Sequence, residues 1–134
     1  MMTAKLSLLV AACAALPLAT AATAGDDKAR GEQELARVLE DRTPGEPVRC
    51  LPLSQRRNMQ VVDGTALVFR DGATIYVNRP DGARFLDVFD VPVFKLYGSS
   101  ELCARDHATL HDSSTGMPGP LLVLGEFIPY RRTN

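Results

Sequence analysis

Short apolar runs separated by Asp-Gly pairs dominate the middle of the chain. Val61-Val62 leads into Asp63-Gly64, residues 65–70 into Asp71-Gly72, and residues 74–78 into Arg79-Pro80-Asp81-Gly82. Residues 65–70 and 74–78 are rich in β-branched and aromatic side chains, and Asp-Gly between such runs is a strong hairpin signal. The pattern predicts a β-hairpin over residues 65–78, preceded by a strand at Val61-Val62. Leu67 and Phe69 would share one face of the first hairpin strand, matched by Ile75 and Val77 on the second. Residues 85–89, 93–97, 108–111 and 121–128 read as further strands. Pro92 suits a sheet edge or a bend, and Gly125 a bulge within the last strand. Several short strands in succession predict a mainly β fold: a small antiparallel sheet, barrel or sandwich.

One segment departs from this period. In residues 26–42, Leu35, Val38 and Leu39 fall at helical spacing, while Glu32, Glu34, Arg37 and Glu40 occupy other faces. The apolar stripe is one turn deep, which predicts a short, weakly docked N-terminal helix. Pro44-Gly45-Glu46-Pro47 would end it, because proline cannot continue a helix and restricts the residue before it. Compact structure is expected from Val48 onward.

The first 24 residues have a third texture. Lys5 is their only charge, it precedes an apolar run over residues 6–18, and Ala22-Thr23-Ala24 has the small-x-small form that a signal peptidase cuts. The expected product is an exported chain beginning at Gly25. Val10-Ala11-Ala12-Cys13 also fits a bacterial lipoprotein processing site, with Cys13 as a lipid anchor. Against it, the apolar core before Cys13 would be short, and residues 14–24 stay apolar instead of forming a polar tether. Removing Lys5 from the 15 basic residues leaves 14 against 16 acidic ones, a net charge of −2. That excludes the basic excess of a nucleic-acid binder. After residue 24 no apolar stretch approaches the ~20 residues needed to cross a bilayer, so no transmembrane span is expected in the mature chain.

An oxidising compartment changes the reading of the cysteines. Cys50 and Cys103 remain after cleavage and can form a structural disulfide. No Cys-x-x-Cys favours redox catalysis. Asp106, three residues after Cys103, is placed to cap backbone donors of the turn the bridge would anchor. His107 and His111, flanked by Asp106 and Asp112, would share one face in a strand or in a helix and could offer two imidazoles to a Zn²⁺. They lack the Glu of a His-Glu-x-x-His site. Ser99, Ser100, Ser113 and Ser114 sit in no Gly-x-Ser-x-Gly elbow and read as turn formers. Glycines fall singly at turns, so no phosphate cradle and no cofactor are expected. Arg56-Arg57 and Arg131-Arg132 read as solvated basic pairs.

Taken in order, Arg49-Cys50, Val61-Val62-Asp63-Gly64, Leu67-Val68-Phe69, Tyr76-Val77-Asn78, Leu102-Cys103-Ala104-Arg105-Asp106 and Leu124-Gly125-Glu126-Phe127-Ile128-Pro129 form a pattern. It resembles a domain-of-unknown-function family of small exported proteins from Gram-negative bacteria, over roughly residues 48–130. The resemblance implies no catalytic residue. It implies two further cysteines near the positions of Arg84 and Leu122, both absent here. If those two pair with each other in the family, Cys50 is left to pair with Cys103.

The expected layout is a signal peptide at 1–24, a polar helix and Pro/Gly linker at 25–47, and a disulfide-stapled β domain at 48–134. The expected role is an exported, periplasmic domain, non-catalytic, that binds an envelope protein or ligand or serves a structural role. Phe85, Phe89 and Phe94 are the expected apolar docking patch. The alternative is a metal-dependent binder or enzyme using His107 and His111 with nearby carboxylates.

Overall fold

The computed structural model describes residues 24–52, 54 and 58–133. The expected signal segment up to Thr23, Cys13 and Arg56-Arg57 lie outside the described residues. The remainder forms one helix, α1 (Ala24–Val38), and ten strands: β1 (Arg42–Pro44), β2 (Cys50–Pro52), β3 (Met59–Val62), β4 (Ala66–Asp71), β5 (Thr74–Asn78), β6 (Asp90–Phe94), β7 (Glu101–Cys103), β8 (His107–Asp112), β9 (Pro118–Val123) and β10 (Phe127–Arg132). The fold is mainly β, as expected. Three antiparallel sheets form, none closed into a barrel: β1-β10-β5-β4-β3, β2-β7, and β6-β8-β9.

β4 explains the layering. Its first four residues, Ala66-Leu67-Val68-Phe69, are fully buried. Side chains alternate across a strand, so an unbroken apolar run means both faces are covered. Leu67 and Phe69 join Leu51, Leu86, Leu102, Ala108, Leu110, Leu122, Leu124 and Phe127 in a core between the five-stranded sheet and the two smaller ones. Phe69 and Phe127 meet edge to face, with ring centroids 5.6 Å apart. Val68 and Ala66 point the other way, joining Val62, Ile75, Val77 and Leu35 beneath the helix.

The hairpin forms where expected, but its facing pairs differ. Leu67 lies opposite Asn78, Val68 opposite Val77 and Phe69 opposite Tyr76. The loop is Gly72-Ala73, between the paired Asp71 and Thr74, and Gly72 supplies the positive φ of +54° that such a turn needs at its first position. A two-residue loop always sets odd-numbered residues opposite even-numbered ones. Ile75 and Val77 therefore face the helix with Val68, not the opposite core with Leu67 and Phe69.

Other expected boundaries move for identifiable reasons. Residues 85–89 are not a strand: Ala83–Phe85 is a 3₁₀ turn, Asp63 Oδ1 accepts the Val88 N–H at 2.8 Å, and Asp87 Oδ1 accepts that of Phe89 at 2.8 Å. Carboxylates take the donors that a ladder would have used. The strand expected at 93–97 starts and ends earlier, as β6. The apolar run 121–128 divides into β9 and β10 at Gly125, whose N–H and C=O are both held by the buried side chain of Asn78. In the Pro/Gly segment, Arg42–Pro44 forms β1 on β10.

The helix is longer and better docked than its stripe implies. Leu35 is buried, and Arg79 holds Glu32 with two hydrogen bonds at 2.6 and 2.9 Å. That pair lowers the Glu32 carboxyl below its usual range. The helix ends at Val38, and Asp41 takes the left-handed conformation at φ +58° before β1 begins. The overlooked contact is Gly31, one turn before Leu35 on the same face. A Cβ built there would overlap Asp63 O and Thr65 Oγ1 of the β3–β4 turn. Gly31→Ala should therefore lower stability by about 2 kcal/mol, although alanine improves helix propensity by roughly 1 kcal/mol. Urea unfolding reads this directly; an unchanged or higher midpoint would show that the helix does not sit that close.

Candidate functional site

Each of the two larger sheets has two edges, and most are blunted. Gly45 N–H donates to Pro129 O, so residues alternate along β1 such that Pro44 stands where an N–H would face outward. Lys95 N–H donates to His107 O, and the same alternation along β6 puts Pro92 at the free edge, as its residue type implies. β9 is bridged at Val123 by Asp81 and carries Pro118 and Pro120. β3, Met59–Val62, carries no proline and has no further strand beside it among the described residues.

Between the free side of β3 and the blunted edge of β6 the core opens to the surface. The resulting groove of about 340 Å³ is lined by Met59 and Val61 of β3, Val88, and Val91 and Pro92 of β6, with Glu34 of α1, Gln60 and Asp90 at its margins. Met59 and Val61 pack inward against the larger core, while Val88 and Val91 are each half exposed. The apolar surface continues past the groove through Phe89, just before β6, and Val93 within it, which are 72% and 44% exposed. Phe85, stacked by the Arg84 guanidinium at 4.3 Å, borders it. Of the expected aromatic patch, Phe85 and Phe89 are exposed and Phe94 is half buried against the core.

The groove margin is acidic. Asp90 faces Asp112 directly across the β6–β8 ladder. Its carboxyl is pushed up from the usual range by desolvation and by the charges of Asp87 and Asp112. Asp112 is itself held down to about 2, because Oδ1 accepts hydrogen bonds from the Ser114 hydroxyl and from both the hydroxyl and N–H of Thr115, as well as the Ser114 N–H. Glu34 accepts a hydrogen bond from Gln60 Nε2 at 3.0 Å. Arg70 approaches Gln60 Oε1 from β4 at 3.5 Å. None of the described groove-lining residues is basic.

The cysteine expectation is met. Cys50 and Cys103 are directly opposed in the β2–β7 ribbon and form a disulfide. Asp106 caps the turn that follows: its Oδ2 accepts the Cys103 N–H at 2.7 Å, and its own N–H donates to Cys103 O. Arg105, at the turn's third position, takes φ +76°.

His107 and His111 do share the outer face of β8, opposite the buried Ala108 and Leu110. Four positions along a strand span about 13 Å, however, so the two rings cannot meet on one ion. His111 Nδ1 is also engaged with Gly116 O at 3.1 Å. Among the described residues, the one cluster of His, Cys, Asp and Glu donors close enough for an ion is Cys50, Cys103 and Glu101, and its two sulfurs are spent on the disulfide. The serines serve turns: Ser99 Oγ accepts the Glu101 N–H, and Ser114 Oγ donates to Asp112. No described helix is long and apolar enough to cross a membrane.

Sequence reasoning missed the groove residues Met59, Val61, Val88 and Val91. One signal was present: Val91 and Val93 alternate with Pro92 and Phe94, which marks a strand whose outward positions are apolar. Which strand lies across the gap depends on tertiary packing and has no local signature. No family model, no curated protein and no solved structure matches this chain.

Proposed function

We propose that this chain is an exported, non-catalytic binding module of the cell envelope, and that a partner protein docks at the groove between β3 and β6. The observation that carries this reading is an apolar groove continuous with exposed Phe89 and Val93. Large apolar side chains gathered at one place mark interaction sites more often than scattered ones do. The disulfide supports the exported location, since such bonds persist in oxidising compartments. The resemblance to small exported proteins of Gram-negative bacteria points the same way.

Two measurements on the full chain expressed in cells test the proposal. Intact mass with and without reduction should give a chain starting at Gly25 with no free thiol until reduction. An uncleaved chain with free thiols would overturn export, and an acylated Cys13 would replace the soluble form with a tethered one. A photo-crosslinking residue at Val91 should yield a discrete adduct. The same residue at Asp71, on the exposed hairpin tip, should yield none, and Val88→Asp should abolish the Val91 adduct. Equal labelling from both positions would overturn the groove as the docking site.

A further inference from the structure

We infer that the groove receives an extended, cationic segment of the partner, which adds to β3 as a sixth strand of the larger sheet. This rests on the docking reading above and specifies the chemistry of what docks. A sheet edge is a ready template for another strand, and proteins ordinarily blunt it. Here Pro44 and Pro92 remove outward N–H groups at two edges, and Asp81 bridges the end of a third. β3 is treated differently: it carries no proline and is flanked by an apolar groove instead of a covering element among the described residues. Strand addition draws affinity from main-chain hydrogen bonds and selectivity from pockets for alternate side chains. Met59, Val61, Val88 and Val91 supply apolar contacts for one face of such a strand.

Charge fixes its sign. Glu34 of α1 and Asp90 of β6 both line the groove, Asp112 faces Asp90 across the β6–β8 ladder, and the charges of Asp87 and Asp112 act on Asp90. Arg70 on the neighbouring strand is turned to Gln60. The described salt bridges, Arg30–Asp27 and Arg79–Glu32, involve none of the four acidic groups at the groove. An incoming lysine or arginine would therefore meet carboxylates that have no cation of their own among the described residues. Pro92 directs the strand to β3 and away from β6, which cannot donate at its centre.

The test uses three synthetic octapeptides: alternating lysine and valine, alternating glutamate and valine, and the lysine–valine sequence with alternate backbone N-methylation. Binding is followed by titration, and amide hydrogen exchange is read across the whole protein. The lysine–valine peptide should bind and slow exchange within Met59–Val62, while the other two bind at least tenfold more weakly. Glu34→Gln with Asp90→Asn should weaken the lysine–valine peptide about tenfold, from two partly screened charge contacts. Binding unaffected by N-methylation would overturn strand addition. Equal affinity for the acidic peptide would overturn the charge argument. Outward β3 amides already protected in the free protein, or a β3-mediated dimer in sedimentation, would show the edge to be occupied and also overturn the inference. If all three peptides fail while the Val91 adduct persists, strand addition falls and the docking reading stands. Loss of both removes the groove itself.

Discussion

Reducing the Cys50–Cys103 bond should cost about 4 kcal/mol of folding stability, on a chain-entropy estimate for its closed loop. The bridge joins positions 53 residues apart, so the loop it closes contains the whole hairpin and every described groove residue except Glu34. Its local setting adds to the expectation. β2 and β7 are three residues each and, among the described residues, pair only with one another, and a two-stranded ribbon is marginal by itself. Yet Leu51 and Leu102, the residues next to the cysteines, are buried in the main core. Opening the bridge frees the ribbon that delivers both leucines. For a domain of this size the loss corresponds to a fall in melting temperature of about 15 °C. Thermal unfolding with and without a reductant measures it, and Cys50→Ala with Cys103→Ala removes thiol chemistry from the comparison. A difference below about 1 kcal/mol would mean that the ribbon is held by its leucines and not by the bond.

The second large effect is expected at Asn78. Its side chain is wholly buried, and it treats Gly125 as a strand would: Nδ2 donates to Gly125 O at 2.7 Å and Oδ1 accepts the Gly125 N–H at 3.1 Å. Its backbone meanwhile pairs with Leu67 on one side and Phe127 on the other. One residue thus ties the β9–β10 loop to the centre of the larger sheet. Asn78→Ala leaves the half-buried N–H and C=O of Gly125 without partners, at about 2 kcal/mol together. Asn78→Asp keeps the acceptor for Gly125 N–H but sets a buried carboxylate against Gly125 O. Burial and that carbonyl raise the folded-state pKa above the unfolded one, so the defect should be present at neutral pH and shrink as pH falls and the carboxyl gains a proton. Urea midpoints for the wild type and both variants across pH test this. An Asp variant insensitive to acid would show that the Gly125 contact is not made.

Much of the fold was legible because its signals are local. The Asp71-Gly72 turn, the strand at Val61-Val62, the helical spacing of Leu35, Val38 and Leu39, and the cap by Asp106 all depend on residues a few positions apart. The errors were of two kinds. A two-residue loop denies Leu67 and Ile75 a common face, and four strand positions hold His107 and His111 apart; both follow from geometry available in the sequence. The break at Gly125 was different. It depends on Asn78, 47 positions earlier, and no local pattern announces it. Residues 85–89 failed for a similar reason, because Asp63 reaches Val88 across 25 positions. The candidate site was the least legible part. Its walls come from α1, β3 and β6, and each wall alone reads as an ordinary half-buried segment.

The uneven treatment of the sheet edges also sets how many neighbours this molecule can join. Assembly into a fibre requires two complementary ends, so that every addition leaves a new place to add. With Pro44, Pro92 and the Asp81 bridge blunting the other borders of the larger sheets, β3 gives those sheets a valence of one among the described residues. Edge pairing there terminates after a single event, either with a foreign strand or in a two-fold pair of copies.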